Sequence, residues 1–173
     1  MNTVEILNKF EDVTNHYLHE LEGFSMEQLL QKPSEDEWSI GQMYLHLIQS
    51  ARYMQLGSVE KCRQGGPAVA EAGSCKTEIG QAIFAQGSLP PVRVKVPASP
   101  AYTPAQPDSK EQLRDGLNGV LAQMKALEPT LNDIPAQHTA PHPAFGDLTA
   151  KEWFAIVEMH YRHHLLQLNR LKG

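Results

Sequence analysis

The chain has 173 residues, 41% of them hydrophobic, and a formal net charge of −5 at pH 7. That length fits one domain able to bury a real core. The acidic balance, with no dense basic patch, excludes a general nucleic-acid binder, because phosphate contacts need clustered Lys and Arg.

No apolar run approaches the roughly 18–20 residues a membrane helix needs, so no span is expected. The start, "MNTVEILNKFEDV", has neither the basic nor the apolar region of a secretory leader. Two cysteines, Cys62 and Cys75, are too few for a disulfide framework or a cysteine-based zinc site. Both are expected as reduced thiols of a cytoplasmic protein.

In chain order, residues 3–22 predict the first helix, with Ile6, Phe10, Val13, Tyr17 and Leu21 at spacings of three and four. Gly23 suits the position just past its end. Ser25 and Gln28 form a capping box, with Phe24 and Leu29 as a hydrophobic staple, and open a short helix that Pro33 ends. The second long helix opens on Ser39 and Gln42, with Trp38 and Met43 as its staple. It is expected to run to about Gln64, where Gly65, Gly66 and Pro67 stop it.

Residues 65–107 hold seven of the twelve prolines. Within them, 73–87 suit one short helix and 92–96 an extended piece. A structureless connection of this length is unusual, so part of it should pack on the helices and line a site. The third long helix starts at Asp108 or Ser109; Leu113, Leu117, Val120, Leu121, Met124 and Leu127 form its stripe, and Pro129 lies past its end. The fourth opens on Thr149 and Glu152, with Leu148 and Trp153 as staple, and runs almost to Gly173.

Four long amphipathic helices predict an all-α four-helix bundle, a single domain over 1–173. The Pro-rich stretch would be a crossover, so helices two and three need not be antiparallel neighbours. Two helical hairpins on a linker would each have too little core.

Helix geometry sorts the eight histidines. At about 100° per residue, His160 and His164 fall on either side of the stripe centred near Trp153, Val157, Leu168 and Leu171. They lie one turn apart on one face. His163 falls on the flank, toward Met159 and Arg170. His46 sits at the border of the second helix's stripe, His16 and His19 lie off theirs, and His138 and His142 fall in a Pro-rich loop. A buried neutral imidazole must satisfy both ring nitrogens, and two in one apolar stripe are costly without partners. A metal takes one nitrogen from each. Polar core neighbours or water are the alternative.

"EWSIGQMYLHL" at 37–47, "HPAFGDLTAKEW" at 142–153 and "HYRHHLLQLNRL" at 160–171 resemble the DinB-like superfamily of bacterial four-helix bundles. The likeness spans nearly the whole chain, including "VPASPAYTPAQPDSKEQL". The resemblance implies an up-down-down-up bundle with a long link between helices two and three. It also implies a metal site of one histidine on the second helix and an H-x-x-x-H pair on the last. Those fall on His46, His160 and His164. His163 is not a ligand in that pattern, though 160 and 163 could also bind at i, i+3, and the part played by His142 stays open.

Three imidazoles leave an open position, which suits a reactive rather than a structural ion. Zinc or nickel is expected, with iron possible. Characterised members of the superfamily include transferases and isomerases that use low-molecular-weight bacterial thiols.

The leading expectation is therefore a metal-dependent transferase of a small thiol onto electrophiles. The 65–107 link would shape its substrate pocket, and Arg93, Lys95 and Arg162 would be available to attract an acidic thiol. Hydrolysis, with water in the open position, is the first alternative; it lacks an evident carboxylate base, since Glu158 is expected on the polar side. A dimeric binding or stress-response protein is the second, with Met159 and Leu166 available for a homodimer contact. Cys62 as a nucleophile has no histidine near it in sequence.

Overall fold

The computed structural model describes residues 1–65, 76–92 and 103–173. These are mostly helical, with one small antiparallel hairpin. Cys75, Arg93, Lys95 and most of the proposed extended piece at 92–96 lie outside the described residues.

Helix α1 spans Thr3–Glu22 and α2 spans Met26–Leu30. Helix α3 covers Ile40–Gln49 and α4 Leu56–Gln64. Helix α5 is Glu78–Gln86, α6 is Lys110–Leu127, α7 is Ala150–His163 and α8 is Leu165–Lys172. Strand β1, Thr139–His142, pairs antiparallel with β2, Gly146–Thr149. None of the described helices is long and apolar enough to cross a membrane.

The helix starts follow local chemistry. Ser25, Ser39 and Thr149 each accept from the third residue of their helix, and Gln28, Gln42 and Glu152 return the bond. Ser109 caps α6. Gly23 ends α1 with φ −81°, in the right-handed region rather than the left-handed one its position suggested.

Three departures from the expected elements matter for the site. The second long helix is not uniform: residues Ser50–Gln55, one turn after His46, form a π-helical segment between α3 and α4. Such a segment adds a residue to a turn and re-phases the faces that follow it. The last helix breaks at His164, which ends α7 and precedes α8. Beside the break, the Tyr17 hydroxyl donates to the Tyr161 carbonyl at 2.6 Å, giving the ladder an outside partner. The Pro-rich loop before α7 forms the β1–β2 hairpin, and Trp153 Nε1 pins it by donating to the Ala140 carbonyl at 3.1 Å.

Helix α1 packs on α6 and α7, α3 on α2 and α6, and α4 on α7. Tyr17, Tyr44 and Tyr161 meet edge to face at the centre, with Tyr44 donating to the Tyr17 carbonyl at 2.8 Å. Burial pushes all three phenols above their ordinary range, so they stay neutral; Tyr17 and Tyr44 donate, whereas the buried Tyr161 hydroxyl has no partner among the described residues. These contacts fix the rotation of α3 and α7 about α1, and so where His46 and His160 point.

Residues 76–92 form a strap across α7 and the hairpin. Thr77 N donates to the Phe145 carbonyl at 3.0 Å, Lys76 pairs with Glu152 at 2.7 Å, and Arg162 donates to the Gly87 carbonyl at 2.6 Å. Glu158 was expected on the polar side, but it is buried and accepts two bonds from Arg162, at 2.9 and 2.8 Å. Arg162, so engaged, is a strap anchor rather than a pocket cation.

Gly80 lets α5 approach the hairpin: a Cβ there would collide with the Phe145 carbonyl oxygen. Gly80→Ala should lower stability by about 1–3 kcal/mol and loosen the strap first. Hydrogen exchange will read this as lost protection in α5 with α1 unchanged; equal loss in both would contradict the placement.

Candidate metal centre

His46 comes from the last turn of α3, His160 from the last turn of α7, and His164 from the residue between α7 and α8. Their rings converge. Nε2 of His160 lies 3.1 Å from Nε2 of His46 and 3.1 Å from Nε2 of His164. The ring centroids are 4.6–5.0 Å apart.

The far side of one ring sets its tautomer. Gln167 Oε1 lies 2.7 Å from His164 Nδ1; an amide oxygen only accepts, so Nδ1 carries the hydrogen and Nε2 the lone pair. Ser50 Oγ, the first residue of the π segment, stands 3.4 Å from His46 Nδ1, a longer contact. His160 Nδ1 is buried and without a partner among the described residues.

Burial also keeps the cluster neutral. It pushes His46 down to about 3, with the neighbouring His164 adding to the effect. His164 falls to about 4, again through burial, while the Gln167 bond opposes the shift and His163 adds to it. His160 lies well below the ordinary imidazole range, from burial and then from His164 and His46.

The His164 Nε2 lone pair faces the His160 ring, and lone pairs so turned on one another repel unless an N–H or a cation lies between them. The spacing suits a cation. Imidazole nitrogens about 2.0–2.1 Å from a divalent ion, at angles of roughly 90–110°, stand about 2.8–3.4 Å apart. The donor set therefore fits a metal ion, and the three residues form a group that could hold one.

The cluster opens on a cavity of about 540 Å³. Asp36, Glu37 and Trp38 line it from the loop before α3, Pro91 and Val92 from the end of the strap, and His163, Leu166, Gln167, Arg170 and Leu171 from α7 and α8. Trp38, read from sequence as a staple, lays its ring 5.0 Å from that of His46.

The other candidates separate from the cluster. His163 lines the cavity beside His164 but does not converge with the three nitrogens. His142 stacks on Phe145 at 4.0 Å, and its Nδ1 accepts from the Ala144 and Phe145 amides. His138 Nδ1 lies 3.0 Å from the Cys62 carbonyl, and His16 and His19 are exposed. Cys62 is buried with its thiol toward the Leu148 carbonyl, and burial pushes that thiol up to about 11, so it is no nucleophile. Met159 is buried inside the chain, whereas Leu166 lines the cavity and is exposed.

Sequence reading missed the acceptor Gln167 and the wall residues Asp36, Glu37 and Arg170. Gln167 was visible as the i+3 neighbour of His164 on a helix. The other three had no local signal.

The chain is similar to the uncharacterized protein YuaE of Bacillus subtilis (strain 168), 28% identical over 156 residues that cover 89% of each chain. A family model described as the DinB superfamily matches residues 9–168, a span that includes His46, His160 and His164. With that match over most of its length, the chain belongs to the DinB superfamily.

Proposed function

We propose that His46, His160 and His164 bind a divalent ion, zinc or nickel first, and that the protein transfers a small thiol onto an electrophile. The observation that carries this reading is the convergence of three neutral imidazole nitrogens at the floor of an open cavity. With no carboxylate or thiolate among the three, the centre would keep its full positive charge and favour an anionic sulfur ligand. When bound, the ion would keep a thiol deprotonated near neutral pH. Trp38, Leu171 and Val92 would exclude water and hold the apolar part of the electrophile.

On the same reading, residues 1–173 form one domain, an up-down-down-up bundle crossed over by 65–107. The packing of α1 on α6 and α7, and of α3 and α4 on those same two helices, supports this.

Hydrolysis is the second reading, and one observation favours it. Asp36 and Glu37 line the cavity, so a carboxylate base is at hand that no helix spacing indicated. A screen of zinc- or nickel-loaded protein separates the two. Thiol consumption by an electrophile, lost in a His160→Ala variant, supports transfer. Ester or amide cleavage without added thiol, lost in Asp36→Asn, supports hydrolysis. Neither reaction above background would leave a binding protein.

The hydrogen bond from His164 to Gln167 should matter to metal affinity. Gln167→Leu is expected to weaken zinc binding about 10–100-fold by competition with a chromophoric chelator. Ser50→Ala, acting across 3.4 Å, should cost less. Unchanged affinity in Gln167→Leu would refute the orienting role.

A further inference from the structure

The cavity walls differ in charge. Asp36 and Glu37 sit on the loop before α3. Gln167 and Arg170 sit on α8, three residues apart and therefore on one face. Gln167 Oε1 is committed to His164 Nδ1, which leaves its amide N–H groups as the donors it can offer a ligand. Arg170 is exposed and forms no ion pair among the described residues, unlike Arg162 and Lys172 on the same C-terminal stretch. A guanidinium and an amide N–H group thus border the cavity, and apolar Trp38, Leu166, Leu171 and Val92 complete it.

We propose that Gln167 and Arg170 form a carboxylate subsite that selects, as the ligand of this cavity, a small molecule with an apolar body and a terminal carboxylate. The proposal rests on the functional reading above for the ligand's other end, which lies at the three histidines. A planar guanidinium fork matches a carboxylate in two parallel bonds, and a neighbouring amide N–H adds a third. Helical rise puts Gln167 about 4.5 Å and Arg170 about 9 Å along the axis from His164. The ligand should therefore carry its carboxylate several bonds from the group that meets the histidines. Asp36 repels an anion from the other wall and so directs it onto α8.

The test follows the side-chain N–H signals of Arg170 and Gln167 by NMR in two preparations. Metal-free protein is titrated with hexanoate and with hexan-1-ol. Zinc-loaded protein is titrated with 3-mercaptopropanoate and with 3-mercaptopropan-1-ol. In both, the acid is expected to bind about tenfold more tightly than its alcohol. Arg170→Ala should erase that preference without changing zinc content, and Arg170→Lys should restore part of it.

Equal affinity for acid and alcohol, no binding of either, or a preference that survives Arg170→Ala would overturn the subsite. The two readings fail separately. Protein that takes up no zinc but still prefers hexanoate keeps the subsite and loses the metal. Protein that loads zinc and shows no preference loses the subsite alone.

Discussion

His160→Ala is expected to purify without bound metal, whereas wild type carries about one divalent ion per chain in mass-spectrometric metal analysis of untagged protein. His160 is the shared neighbour, 3.1 Å from both other ring nitrogens, and the most enclosed of the three. Apparent binding energies of about 10–16 kcal/mol for four-ligand zinc sites allot roughly 2.5–4 kcal/mol to each ligand, about a hundred- to a thousand-fold in affinity. The loss should be greater here, because a third of the protein donors goes at once. The fold should survive, since the deleted ring has one nitrogen with no partner and the bond from the Tyr17 hydroxyl to the Tyr161 backbone carbonyl does not involve it. Circular dichroism checks that point. A wild type that neither retains metal nor takes up zinc or nickel at micromolar levels would sink the metal reading. Stoichiometric metal in a folded His160→Ala would move the site elsewhere.

Metal-free wild type is expected to lose stability steeply as pH falls from 7 toward 4. The ordinary imidazole value of 6.5 describes the unfolded chain, while burial holds His46 near 3 and His164 near 4 in the folded one. Both folded values are depressed. Their contribution is therefore full above about pH 6.5 and is lost as pH falls toward the folded values, because only the unfolded chain takes up the protons. Each such group contributes a slope of up to about 1.4 kcal/mol per pH unit. Two groups reach a loss on the order of a few kcal/mol by pH 5, a large part of a total of about 5–15 kcal/mol. His160 adds in the same direction.

Urea unfolding of chelator-treated protein at pH 7, 6 and 5 measures the slope. Zinc should raise stability at pH 7 and move the acid transition lower, since it binds only the neutral rings. Flat stability between pH 7 and 5 in metal-free protein would contradict the burial of the cluster.

What could be read along the chain was whatever depends on neighbours within a turn or two. The capping boxes at Ser25, Ser39 and Thr149 are such features, and all three are present. So is the i, i+4 relation that sets His160 and His164 on one face. The stripe of α6 is another, with Leu113, Leu117, Val120, Leu121 and Met124 buried as their spacing indicated. Selecting His46 from among eight histidines needed the resemblance as well, since its own helix placed it only at the border of the stripe.

Tertiary structure decided the rest, because each remaining feature depends on how one helix is turned against another. Packing around Tyr17, Tyr44 and Tyr161 aims His46 at the pair on the last helix, and no periodicity within α3 specifies that direction. The π segment and the break at His164 change the phase of two helices beside the cluster, where a uniform repeat of about 3.6 residues carries every face straight on. Glu158 is buried where Arg162, itself tied to the Gly87 carbonyl of the strap, pairs with it. Asp36, Trp38, Val92 and Arg170 meet around one cavity although they lie far apart in sequence. Short-range chemistry thus determined which elements form and where they start, whereas the pocket that would choose a ligand exists only once those elements are packed.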